Sequence, residues 1–485
     1  MSSVPPSPPP AASSSTPTAP AVGSPCLQQA LKKARLVLRD PVVKLRALPT
    51  IRERCHVIYA AAKQDELEHF ALHEEKLGEV VDYVHVVIQE RFPEGMNAVP
   101  NHSRYRHFEA GNLDRLSQLR AASGEQGVDA REIARRLVDL VVVSVLLDAG
   151  AGDKWKYMEE GTRQTITRSE GLGVASFHMF MAGAFSSASE EGSKMQADAV
   201  GLQGLTTEAI KRGFQVDGEA NPLVGADGRA DLLRRLGKAL EEHPEFFSSV
   251  LAEEKEGGVA SFRPGYLVDY LFAQAKPGSE PAEVTVHDLW QAVMYGLESI
   301  WPAGRTVVEG KNMGDVWPHS ALLKHTEMDG RGDGEDGEEE GEDATRGLVP
   351  FHKLSQWLTY SLLEPLGEAG MLFTDTTHLT GLPEYRNGGL FVDLGVLVPK
   401  RASILDSSGH LPDSEVIVEW RALTVVLLDE VARLLRIKVG ETEEGLPLVK
   451  VLEGGTWTAG RKIAKALRPE TGGPPITIVS DGTVF

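Results

Sequence analysis

The strongest constraint on the fold lies toward the C-terminal end, in PDSEVIVEWRALTVVLLDEVARLL, which is apolar almost all round from Val416 to Leu428. A helix that is apolar on every side has to be enclosed by protein, so the rest of the chain must supply elements that wrap it. Asp413 or Ser414 is placed to cap its start. Glu415 and Glu419 lie one turn apart on one face, and Glu419, Trp420 and Arg421 fall within the apolar stretch. Charges buried there need partners, or they line a site.

Helical periodicity recurs along the chain. LQQALKKARLVLRD and REIARRLVDLVVVSVLLDAG are amphipathic, and so are stretches near 170–186, 205–213, 229–241, 265–275, 286–300, 351–367 and 414–436. Alternation of the strand type is scarce, with short candidates at Leu390–Val398, Leu446–Val451 and Ile476–Val479. The fold class expected is mainly α, with a few short strands. Residues 1–26 form a Pro/Ser/Ala-rich tail expected to be disordered, and 27–485 are expected to form one helical domain carrying a disordered acidic loop at 328–347.

Charge and cysteine content narrow the function classes. The formal net charge is -20, and nine carboxylates with one arginine between Asp329 and Asp343 carry -8 of it. An acidic body does not attract phosphate backbones, so nucleic acid is not an expected partner. Cys26 and Cys55 cannot make a disulfide framework, and they do not form a zinc-type cluster. The N-terminal segment lacks the features of a secretory signal. The longest apolar run, Leu137 to Gly152, is broken by Asp139 and Asp148 and is too short to span a bilayer. These features fit a cytoplasmic or nuclear protein with no membrane partner; the oligomeric state is unknown.

Several segments carry side chains suited to chemistry. In LVPFHKLSQWLTYSLLEPL, Pro350 suits a first helical position, and Lys353, Gln356 and Tyr360 share a polar face that is either solvated or turned to a ligand. In LTGLPEYRNGGLFVDLGVL, the glycines Gly381, Gly388 and Gly389 bracket Glu384, Tyr385 and Arg386, and Asp393 follows in an apolar run. Glycine pairs let a backbone approach a ligand closely. The charges there are either a structural Glu–Arg pair or a carboxylate held in a cleft. Asp148 and Asp153 flank a Gly/Ala turn before Trp155 and Tyr157. Gly171, Gly173 and Ala175 permit close helix packing ahead of Phe177 and His178. His102, Arg104, Arg106, His107 and Arg115 cluster in an acidic chain, either to bind an anion or to pair with nearby acids. His69 and His73 are spaced like metal ligands but have no evident third ligand, Gly225 begins a turn rather than a phosphate loop, and no nucleophile elbow occurs.

Taken together, HSRYRHFEAGNLDR, LLDAGAGDKWKYME, RSEGLGVASFHMF, GDVWPHSALL, LVPFHKLSQWLTYSLLEP, LTGLPEYRNGGLFVDLGVL and SEVIVEWRALTVVLLDE resemble the fungal uracil-catabolism protein family of the non-reductive pyrimidine pathway, from about Leu27 to Phe485. The acidic insertion departs from that pattern. More remotely, Glu384-Tyr385-Arg386 and the Glu419 helix are similar to queuosine-salvage nucleosidases, which have an all-helical, DNA-glycosylase-like fold and a catalytic acid directly before Tyr-Arg. This chain has Glu where they have Asp.

The resemblance implies hydrolysis of the N-ribosidic bond of ribosylurea, or of its 5′-phosphate, with release of urea. It gives Glu384 the carboxylate beside the anomeric carbon, with Asp393 or Glu419 as second carboxylate. His352, Lys353, Gln356, Tyr385 and Arg386 would bind the ribose or the urea end, with Asp153, His178 and Arg421 as further substrate-binding candidates. Trp155, Phe177 and Trp420 would exclude water. No metal or other cofactor is expected, and the partner is the small ribosylated urea. The alternatives are a non-catalytic helical scaffold for the pathway, or an amidohydrolase acting on a ring-opened pyrimidine.

Overall fold

The computed structural model describes residues 40–479 apart from 149, 153, 190–193, 253–260 and 330–342. The expected tail, most of the first amphipathic segment, most of the acidic run and Asp153 therefore lie outside the described residues.

Those residues are mainly α, with strands of two to four residues in five two-stranded pairs. The elements that build and support the site run in chain order as α1 (Leu48–Lys63), α2 (Ala130–Leu146), β1 (Lys156–Glu159), β2 (Gln164–Thr167), α3 (Arg168–Met181), β3 (Val316–Pro318), β4 (Leu348–Pro350), α4 (Lys353–Glu368), α5 (Tyr385–Asp393), α6 (Glu415–Val439) and α7 (Trp457–Leu467). Every residue of α6 from Val416 to Leu428 is buried, as its apolar circumference requires. It packs on α1 and α5, while α2 packs on α4 and α3. Ser414 stands at the cap position of α6 without a side-chain cap bond, and Gly440 ends the helix at φ 74, in the left-handed region that suits glycine.

Two strand-to-helix junctions share an uncommon backbone. The β1–β2 hairpin runs directly into α3 through Arg168 at φ 57, and β4, paired antiparallel with β3, reaches α4 through His352 at φ 47. Left-handed backbone is uncommon for non-glycine residues. Pro350 consequently ends a strand, and α4 begins at Lys353 rather than at the proline.

The Gly388–Gly389 pair is helical and does not form a ligand-hugging turn. A Cβ on Gly388 would lie 2.8 Å from the Trp420 ring, and one on Gly460 would run into the Arg386 carbonyl. These missing side chains let α5 wedge between α6 and α7, so they serve helix packing. Gly173 does the same for α3, whose Cβ would meet His107 at 2.8 Å. Of the strand candidates, 390–398 begins as the end of helix α5, passes through a turn at 394–396 and is strand only from Leu397 to Pro399. Residues 448–451 form a helical turn, and 476–479 contributes a single bridge from Ile478 to His410. Apolar runs this short fit either secondary structure until tertiary packing decides.

Candidate active site

The starts of α3, α4 and α5 converge on one cavity of about 100 Å³, also lined by Trp457 and Arg461 of α7 and by His102 and His107. Glu384 is the N-cap of α5. Its two carboxylate oxygens accept the amide N–H groups of Asn387 at 2.6 Å and Arg386 at 2.8 Å. The cap bond holds the side chain in one orientation at the cavity wall. Burial pushes its carboxyl above the ordinary value, against the pull of those two amides, Lys353 and Arg386.

Lys353 opens α4 on the same cavity. Burial lowers its ammonium, partly offset by Glu384 and Asp148. A buried ion pair fixes both groups from behind. Arg421 on α6 binds Asp315 at 2.7 and 2.8 Å, Asp315 accepts the Lys353 amide at 2.9 Å, and the Arg421 Nε donates to the Pro383 carbonyl at 3.2 Å. The segment before Lys353 and the one before Glu384 are thus tied to a single guanidinium–carboxylate contact, with Arg421 also stacked on Phe351 at 4.2 Å.

Asp148 supplies a second carboxylate to the cavity. One of its oxygens pairs with Arg104 at 2.9 Å, and the other, Oδ1, is buried without a partner. Burial pushes Asp148 up, but Arg104 and His107 more than offset it, and the group stays below the usual carboxylate range. His107 Nδ1 accepts from Arg104 Nη1 at 2.6 Å. Burial and that guanidinium lower it to about 4, which makes it a neutral ring whose Nδ1 accepts. His102 pairs at 2.7 Å with Glu453. Glu453 is held down to about 2, because His102 and Arg91 outweigh its burial, so it is ionised and His102 Nδ1 carries the proton toward it. Trp357 packs on the His102 ring at 4.6 Å and Trp457 at 5.8 Å. Glu453 belongs to a π-turn, Leu452–Thr456, that leads into α7; such turns recur at functional sites.

Of the residues expected at the site, the structure brings together Lys353, Glu384, Tyr385 and Arg386. The others lie elsewhere. Asp393 is clamped by Arg468 at 2.9 and 2.5 Å. Glu419 lines a different cleft, accepting the amides of His69 and Phe70. His352 turns away to the Leu45 carbonyl at 2.9 Å, and Gln356 locks Thr380 through two bonds. Trp155 donates to the Phe214 carbonyl, Phe177 packs on Phe108, and Trp420 donates to the Gly388 carbonyl. His178 binds Glu159 at 2.8 Å, and Arg421 acts through Asp315. In each case a structural partner explains the side chain.

The site also contains His102 and His107 of the basic cluster expected to bind an anion or pair with acids, Asp148 of the Gly/Ala turn, and Arg168, Ser169, Glu170, Trp357, Trp457 and Arg461. The i, i+4 spacing of Trp457 and Arg461 was a readable signal, since it allows the observed cation–π stack at 4.7 Å.

A family described as "Protein of unknown function (DUF1688)" matches residues 44–485. The chain is 39% identical over 470 residues to "Uracil catabolism protein 4" of Lachancea kluyveri, covering 93% of this chain and 100% of that protein. It is 42% identical over 448 residues to "Protein urg3" of Schizosaccharomyces pombe, covering 92% of this chain and 99% of that one. Matches of this length and identity make the chain a member of the DUF1688 family.

Proposed function

We propose that this protein acts in uracil catabolism by hydrolysing the N-ribosidic bond of ribosylurea or its 5′-phosphate, releasing urea. The pathway part of this reading rests on the Lachancea relative's name. The chemical part rests on one observation: Glu384 is fixed at the wall of an aromatic-lined cavity by two amides of its own helix. The likeness of Glu384-Tyr385-Arg386 to the acid-Tyr-Arg segment of queuosine-salvage nucleosidases points to the same role.

In this reading the C1′–N bond breaks with its electron pair passing to the urea nitrogen, and positive charge develops on the sugar. Glu384 stabilises that charge and takes a proton from the water that attacks C1′. Its raised proton affinity makes it a better base than a solvated carboxylate. The leaving nitrogen needs a proton. His102, as the imidazolium with Nδ1–H held by Glu453, gives its Nε2 proton to that nitrogen and returns to the neutral ring. Asp148 replaces Asp393 and Glu419 as second carboxylate, its free Oδ1 accepting a ribose hydroxyl.

Incubating the purified protein with ribosylurea and with its 5′-phosphate and assaying urea tests the reading. Urea release that falls by at least about 100-fold in Glu384→Gln supports it. Failure to release urea from either compound, or full activity in that variant, refutes it.

A further inference from the structure

The ions lining the cavity do not balance. Asp148 is held by Arg104, Glu170 pairs with Arg461 at 2.7 Å, and Glu384 is bound by two backbone amides. Arg168 and Lys353 line the same cavity, and among the described residues neither side chain makes a hydrogen bond or an ion pair. That is unexpected in a chain with a net charge of -20, where carboxylates are plentiful.

The backbone keeps Arg168 at this place. It takes φ 57 at the first residue of the 14-residue α3, directly after β2, and Thr167 gives that helix start no side-chain cap. Strained backbone of this kind persists where the surroundings enforce it, and it concentrates at functional sites. A helix start adds partial positive charge to the same wall. Asp148 Oδ1, in a side chain more than nine-tenths buried, also lacks a partner and can only accept. The cavity therefore offers unpaired cations for an anion together with a free acceptor for a hydroxyl.

We infer that the ligand is a sugar phosphate, its phosphate monoester held between Arg168 and Lys353 and a sugar hydroxyl donating to Asp148. This rests on the hydrolase reading only in naming the sugar as ribosyl, and it selects the 5′-phosphorylated substrate over the neutral riboside. A neutral riboside leaves Arg168 without a counter-ion and Lys353 with only the longer-range attraction of Glu384 and Asp148. Guanidinium and ammonium groups recognise phosphate oxygens through charge-assisted bonds.

Calorimetric titration of the full chain with ribose 5-phosphate and with ribose tests this without turnover. Ribose 5-phosphate is expected to bind at least about tenfold more tightly, with a preference that shrinks at high salt. Arg168→Gln should bring the ratio toward one, and Arg168→Lys should restore part of it. Inorganic phosphate should compete with ribose 5-phosphate. Equal affinities, no binding of either sugar, or a preference that survives in Arg168→Gln would each overturn the inference. Failure of the hydrolase reading looks different: Glu384→Gln would release urea at the wild-type rate whatever the titrations show.

Discussion

Glu384 and Glu419 are both carboxylates in apolar helical segments, and the fold uses them in opposite ways. Glu419, midway along α6, has Oε1 accepting the amides of His69 at 3.1 Å and Phe70 at 2.8 Å, with His319 Nε2 at 3.6 Å from its other oxygen. Those bonds tie α6 to the His69–Phe70 segment, some 350 residues earlier. Glu384 binds amides two and three residues away, at the start of its own helix. One carboxylate holds distant chain together, while the other is held and remains beside a cavity. The Glu419 cleft is the roomier, about 300 Å³ against about 100 Å³. Room is therefore a weaker guide to chemistry here than the groups that the fold leaves without partners.

The comparison can be sharpened by breaking each support. The largest effect is expected from Arg421→Met, which leaves Asp315 buried without its partner beneath Lys353 and Glu384. Chemical denaturation should show a loss of about 3–5 kcal/mol, much of it recovered when Asp315→Leu is added. A loss below about 1 kcal/mol would remove the ion pair from its place as the frame of the site.

Acid comes next. Burial holds both His107 and His352 down to about 4 from 6.5. Both rings are neutral when folded, so their contribution is present above the unfolded value of 6.5. It is lost as pH falls from 6.5 toward 4, where the unfolded chain takes up protons first. The melting temperature should drop across that window. A flat profile there would contradict their neutral burial.

Glu419→Gln should cost about 1–3 kcal/mol, since an amide oxygen accepts the two N–H groups less strongly than a carboxylate. Turnover per folded molecule should change by less than about tenfold. Intact stability with lost turnover would exchange the roles assigned to the two glutamates. The smallest effect is expected from Gly460→Ala, whose methyl meets the Arg386 carbonyl and forces α7 from α5 at about 1–2 kcal/mol. An unchanged denaturation midpoint would show that this approach has slack.

The helices were largely readable because a 3.6-residue apolar repeat is local, and the run from Val416 to Leu428 announced its own burial. Glu384 and Arg386 were also readable as charges in tight apolar surroundings, and Lys353 as part of a polar helix face. The same argument misplaced Asp393 and Glu419, because buried charges need partners and the sequence does not say which distant residue supplies them. For Asp393 that residue is Arg468, and for Glu419 it is the amides of His69 and Phe70. Nothing local singles out Arg168 and Glu170, whereas the glycines of the same segment point to packing, which Gly173 does serve. The left-handed turns at Arg168 and His352 left no trace that a glycine would have given.

Urea release by Glu384→Gln and Glu419→Gln, compared at equal concentrations of folded protein on the 5′-phosphorylated substrate, bears most directly on the account. A fall of at least about 100-fold in the first, with the second within about tenfold of wild type, is the expected result. Equal losses, or a loss confined to Glu419→Gln, would contradict it.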